Sequence, residues 1–140
     1  MAYLMIVDDD EDFAAAAAAV LLREGHEVVI KSDTAKALTE MQSRPPDLVI
    51  LDVMFPGDDF AGFESARAMR ESSNLKQIPI LMLTGVNQKL DMDFSALDID
   101  STWLPVTDFL RKPVDPGELV RKVKALLHSA GALGESHPLT

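Results

Sequence analysis

The chain contains no cysteine, so a disulfide framework, a thiolate metal site and a cysteine nucleophile are excluded together. Basic residues are also scarce: 13 Lys and Arg stand against 23 Asp and Glu, a formal net charge of -10. That sign argues against binding nucleic acid through its phosphates, which needs a basic face. It favours solubility, and any patch that gathers acidic groups could hold a cation. No apolar run approaches the length needed to span a membrane. The N-terminus "MAYLMIVDDD" lacks a basic region and meets charge after a few apolar residues, so it does not read as a signal peptide. A soluble cytoplasmic protein is the expectation. No internal repeat is visible, and His26, His128 and His137 have no metal-ligand spacing.

The 140 residues suit one domain with a real core, and 47% of them are hydrophobic. Short apolar runs alternate with longer helical stretches. Leu4 to Val7 predicts a first strand, and "EDFAAAAAAVLLREG" a helix. Alanine has the highest helix propensity, acidic groups lead the segment at the positive end of its dipole, and Gly25 can end it in a left-handed conformation. Val28 to Ile30 predicts a second strand. A helix near Thr34 to Ser43 follows, with Ala35, Leu38 and Met41 or Gln42 at turn spacing, and Pro45 and Pro46 stop it.

Leu48 to Leu51 is the third strand, and the helix after its loop carries Phe63, Ala66 and Met69 on one side. Ile80 to Leu83 is the fourth strand and Asp108 to Arg111 a weaker fifth. In "DPGELVRKVKALL" Asp115 can cap, Pro116 suits the first helical position and Glu118 closes a capping box. Leu119, Val120, Val123, Leu126 and Leu127 form its buried stripe, while Arg121, Lys122 and Lys124 are expected to face solvent and the helix's C-terminal dipole. The domain is expected over residues 1–129, with 130–140 as a flexible tail or linker stub.

Uninterrupted apolar strands alternating with helices predict an α/β fold: a five-stranded parallel sheet, doubly wound, with helices on both faces. In such open sheets the ligand site lies beyond the carboxyl ends of the strands, where strand order reverses. For the order 2-1-3-4-5 that edge receives Asp8 and Asp9 after the first strand, Asp52 after the third, Thr84 after the fourth and Lys112 after the fifth. Crowded carboxylates repel unless a cation sits among them, and Mg²⁺ suits oxygen ligands of this kind. A carboxylate left free there can attack phosphorus to give an aspartyl phosphate. Lys112 would neutralise charge on the transferring group and Thr84 could hydrogen-bond it. Asp52, alone on the central strand, is the candidate nucleophile.

With these pieces in order, "IVDDD", "DLVILDVMFPG", "IPILMLTG" and "FLRKP", the sequence resembles the receiver domains of bacterial two-component response regulators over residues 3 to 128. The resemblance implies a flavodoxin-like fold in which Asp9 binds Mg²⁺ directly, Asp8 does so largely through water, and the Met54 backbone carbonyl completes the protein's ligands. Asp52 would accept a phosphoryl group from a phosphohistidine on a partner kinase. Thr84 and Lys112 would be the family's hydroxyl and lysine, Phe109 its rotating aromatic switch, and Pro113 the proline that follows a cis peptide. Expected partners are a sensor histidine kinase or phosphotransfer protein and a downstream protein target, with a second copy of the chain as a candidate. No direct contact with nucleic acid or membrane is expected, and no catalysis beyond the domain's own phosphorylation and dephosphorylation.

The chain departs from the family in two places. The loop "MFPGDDFAGFE" is longer than the usual "MPGMDGFE", with Asp58 and Asp59 beside the site, and the interval from Thr84 to Lys112 is extended. Met92, Phe94, Leu97 and Trp103 in that interval are expected to pack on the core. Met54 and Val86, both apolar, offer nothing to position a hydrolytic water, which points to slow self-hydrolysis. The chain reads as a stand-alone receiver, with a piece of a larger regulator or hybrid kinase as the alternative. Two other functions stay open: a phosphorylation-independent receiver-like scaffold, and a haloacid dehalogenase-type phosphohydrolase using Asp8 as nucleophile and Asp10 as acid/base.

Overall fold

The computed structural model describes residues 2–53, 61–84 and 108–134, with side chains to residue 129. Met54, Asp58, Asp59, Val86, Met92, Phe94, Leu97 and Trp103 lie outside the described residues, as do positions 135–140. Five parallel strands form one sheet in the order β2-β1-β3-β4-β5: β1 (Tyr3–Val7), β2 (Glu27–Lys31), β3 (Leu48–Asp52), β4 (Ile80–Thr84) and β5 (Asp108–Arg111). Among the described residues four helices cover them: α1 (Glu11–Arg23), α2 (Thr34–Ser43), α3 (Ala61–Glu71) and α4 (Pro116–Gly134). This is the doubly wound, flavodoxin-like arrangement expected from the alternating pattern.

β1, β3 and β4 are buried at every position because helices cover both faces of the sheet. Successive side chains point to opposite faces, so each strand supplies two cores. Met5, Val7, Val49, Leu51, Ile80 and Met82 pack with Ala37 and Met41 of α2 and Phe63, Ala66 and Met69 of α3. Leu4, Ile6, Leu48, Ile50, Leu81 and Leu83 pack with Ala14, Ala17, Ala18 and Leu21 of α1 and Leu119, Val123 and Leu126 of α4. Burying each large side chain contributes roughly 1.5–3 kcal/mol, which makes these two layers the main stabilising feature. The edge strands β2 and β5 are only partly covered.

Local signals set the helix ends. Asp10 caps α1 by accepting the Phe13 N–H at 3.0 Å, and Asp33 caps α2 by accepting the Lys36 N–H at 2.9 Å. Asp115 accepts the Glu118 N–H at 3.0 Å at the start of α4. Gly25 follows α1 with φ of 94°, a conformation that other residues adopt at a steric penalty.

The structure differs from the sequence pattern in three details. The buried face of α2 runs through Ala37, Leu38 and Met41, while Ala35 is exposed, because at 100° per residue Ala35 falls on the far side of the Ala37–Met41 line. α4 continues to Gly134, into the segment read as a tail. Arg121, Lys122 and Lys124 therefore sit within the helix and not in its last turn. Lys122 Nζ pairs with Asp108 of β5 at 2.9 Å, and Lys124 reaches to 4.0 Å from Glu24. The dipole role expected of them does not apply, since the macrodipole acts only over the terminal turn.

Candidate functional site

The parallel register aligns the carboxyl ends of the strands. Asp52 is the last residue of β3 and pairs in register with Leu83, next to Thr84, the last residue of β4. The Thr84 carbonyl accepts the Lys112 N–H at 2.7 Å, which places the lysine one step beyond β5. Asp8 follows β1 and donates its own N–H to the Lys31 carbonyl at 2.9 Å. The peptide bond between Lys112 and Pro113 is cis, as the resemblance implied. The topology thus brings together groups spread over more than a hundred positions of sequence.

Asp8, Asp9 and Asp52 each offer a carboxylate oxygen within 4.8 Å of the others. Asp8 is fully buried, Asp52 and Thr84 nearly so, and Asp9 is exposed. Asp8 Oδ1 accepts the Asp10 N–H at 2.9 Å. Lys112 Nζ lies 2.9 Å from Asp8 Oδ2 and 3.7 Å from Asp52 Oδ1, so the ammonium bridges two acids while favouring Asp8. Its approach to Asp8 Oδ2 is ionic and poorly aligned, and no aligned hydrogen-bond donor meets that buried oxygen.

The electrostatics follow from this crowding. Burial, then the negative charges of Asp8 and Asp9, push the Asp52 carboxyl up to about 6 against the pull of Lys112. Burial also raises the Asp8 carboxyl, opposed by the Asp10 amide and by Lys112. Burial works against the charge on Lys112, but its bond to Asp8 and the charges of Asp52, Asp8 and Asp10 outweigh it and hold the ammonium above its ordinary value. Three carboxylates and one ammonium leave an excess of negative charge. Together with an under-satisfied buried oxygen, that is a donor set suited to a hard divalent cation.

Two further residues, Gly62 and Phe13, shape the site without standing out in the sequence. Gly62 begins α3 against the backbone of β3's end, and its N–H donates to the Val53 carbonyl at 2.9 Å. A Cβ there would overlap the Asp52 carbonyl oxygen and come within 2.8 Å of Val53 Cα and O. The "AGFE" that closes the long loop was the available signal. Asp10, the candidate acid/base, accepts the Phe13 N–H through Oδ1 as the cap of α1. The Phe13 ring lies 4.6 Å from Lys112 Nζ, a contact no local pattern announces. Phe109 is half-buried on β5, in register with Met82, and packs against the core shared by α2 and α3.

The sequence profile described as "Response regulator receiver domain" matches residues 4–124. The chain belongs to the response regulator receiver family. It is 34% identical over 124 residues to the alkaline phosphatase synthesis transcriptional regulatory protein PhoP of Bacillus subtilis, covering 89% of this chain and 48% of PhoP. It is 36% identical to the DNA-binding response regulator MtrA of Mycobacterium tuberculosis, covering 89% of this chain and 50% of MtrA. The receiver thus spans about half the length of these curated relatives. A response regulator structure from Chloroflexus aurantiacus J-10-fl superposes with a TM-score of 0.76 at 33% identity, covering 91% of this chain and 98% of that one. Among the described residues, no helix of this receiver is long and apolar enough to cross a membrane.

Proposed function

We propose that this receiver is a phosphorylation switch in which Asp52 takes a phosphoryl group from a phosphohistidine on a sensor kinase or phosphotransfer protein. The observation that carries the reading is the convergence of Asp8, Asp9, Asp52 and Lys112 at adjoining strand ends, with one ammonium spanning two buried acids. An Asp52 oxygen attacks phosphorus, the P–N bond to the donor imidazole breaks with its electron pair staying on nitrogen, and an acyl phosphate forms. The attacking carboxylate must be ionised, and Lys112 favours that form. Lys112 then faces the charge on the new phosphoryl oxygens, and Thr84 offers them its hydroxyl.

Asp8, Asp9 and Asp52 would hold Mg²⁺, with the Met54 carbonyl proposed as a further ligand from outside the described residues. When bound, Mg²⁺ supplies charge neutralisation at the transferring phosphoryl group. The buried Asp8 Oδ2, which the Lys112 ammonium meets at 2.9 Å without an aligned hydrogen bond, supports this fit. The phosphoryl group adds nearly two negative charges, enough to draw Thr84 and Lys112 toward Asp52 and favour a state with Phe109 turned inward. Phe109 has no hydroxyl and contributes packing alone.

The chemistry is confined to the receiver's own phosphorylation and dephosphorylation, in the cytoplasm, and the output passes to a protein target or a second copy. MtrA is DNA-binding by name, but the formal net charge of -10 argues against phosphate contacts by the receiver itself.

Intact mass after incubation with acetyl phosphate and Mg²⁺ tests the reading. A metal-dependent phosphoryl adduct lost in Asp52→Asn is the expected result, and an adduct that persists in that variant refutes it. Asp9→Ala should abolish the adduct while leaving the fold intact. Beryllofluoride with Mg²⁺ should shift NMR signals around Thr84 and Phe109, and silence there would remove the proposed relay.

A further inference from the structure

We infer that Phe13 is a positioning residue for the phosphoryl transfer, holding the Lys112 ammonium at the acceptor through the face of its ring; the inference rests on the function proposed above. Lys112 Nζ is 4.6 Å from the ring centroid, within the range where a cation is attracted by an aromatic face. The contact closes a cycle. Asp8 Oδ1 accepts the Asp10 N–H, Asp10 Oδ1 accepts the Phe13 N–H, the Phe13 ring meets Lys112, and Lys112 returns to Asp8 Oδ2. The cap ties the Phe13 backbone to the same carboxylate that holds the lysine, and the rotamer of the ring completes the contact with the ammonium.

The chemistry of the ring suits the task. An ammonium has three N–H groups, and here Asp8 and Asp52 lie 2.9 Å and 3.7 Å from its nitrogen. Another carboxylate in place of the ring would compete with the phosphoryl oxygens, and water would screen the charge. The half-buried ring does neither. It stabilises the cation, excludes water and supplies no acceptor for a full hydrogen bond. The ammonium therefore stays available to the charge that develops at Asp52, which is where preorganised electrostatics lower a barrier.

The test is a series at position 13, with acetyl phosphate as donor and Mg²⁺ present, so that no contact with a protein kinase can account for the result. Phe13→Leu keeps an apolar side chain and removes the ring; it should slow phosphorylation about fivefold. Phe13→Tyr keeps the ring face and should restore a rate within about twofold of wild type. Pentafluorophenylalanine at the same position keeps the shape with the quadrupole inverted, and should behave like Leu. The Lys112 ε-methylene protons, read by NMR without phosphorylation, should be shifted upfield by the ring in the wild type and in Phe13→Tyr and not in Phe13→Leu.

If Leu and the fluorinated ring match wild type in rate, the role of Phe13 is overturned. If the fluorinated ring is as fast as wild type while Leu is slow, Phe13 acts through bulk alone, and the inference is equally overturned. A wild type that takes up no phosphoryl group refutes the proposed function itself. The lysine signals then still reveal whether the ring holds the ammonium.

Discussion

Replacing Asp52 with Asn should stabilise the metal-free receiver, because the acceptor carboxylate is held in a site that disfavours its charge. Its folded pKa is raised from 3.8 to about 6, chiefly by burial and then by Asp8, and the side chain is only 7% exposed. For an acid with a raised folded pKa, the folded state prefers the proton. The penalty is absent well below 3.8, grows between 3.8 and about 6, and is complete above that. At 1.36 kcal/mol per unit it comes to about 3 kcal/mol at pH 7.5 and about half of that at pH 5. Asparagine keeps the shape and carries no charge, so Asp52→Asn should gain roughly these amounts. For a chain of this size the neutral-pH gain corresponds to a rise in Tm of order 10 °C. Urea denaturation of both proteins at the two pH values, with and without Mg²⁺, is the assay. Saturating Mg²⁺ should stabilise the wild type more than the variant and close the gap. A variant that is no more stable than wild type at pH 7.5, or one whose advantage does not shrink at pH 5, would refute the electrostatic account of the site.

Three other outcomes follow from the same geometry. Lys112→Met removes the cation that lies within 4.0 Å of both Asp8 and Asp52, and should destabilise the metal-free fold by about 3 kcal/mol at neutral pH, with part of the loss recovered on acidification as the acids protonate; equal loss at pH 5 and 7.5 in urea melts would contradict this. Gly62→Ala puts a Cβ onto the Asp52 carbonyl, so it should cost about 1–3 kcal/mol and slow acetyl phosphate uptake, both measurable on the purified variant; wild-type values for both would mean the contact relaxes freely. Leu21→Ala empties a fully buried position between α1 and the sheet and should cost about 2–5 kcal/mol by chemical denaturation without changing which residue is phosphorylated, since it lies away from the strand ends.

Much of the architecture was legible along the chain because it depends on neighbours in sequence. "YLMIV", "LVILD" and "ILMLT" are short apolar runs that suit strands covered on both sides, and their alternation with amphipathic stretches leaves a parallel sheet as the economical arrangement. Asp115 marks a helix start by its side-chain carboxylate and Gly25 a helix end by its positive φ. Where that chemistry is weaker, the sequence misled: the phase of α2 depends on what the helix packs against, so Ala35 was taken for a buried position.

The strand ends mark the division most clearly. That Asp8, Asp9, Asp52, Thr84 and Lys112 stand at the carboxyl edge follows from sequence, since each comes at or just after the end of an apolar run. Which carboxylate the lysine prefers, how far burial raises Asp52, that Gly62 must lack a side chain and that Phe13 reaches the ammonium were decided only by tertiary structure. Residue type and order along the chain are local facts. Charge–charge distances and desolvation arise only when strands distant in sequence lie in register and helices close over them, and a difference of less than 1 Å between ammonium and carboxylate there changes which acid is neutralised.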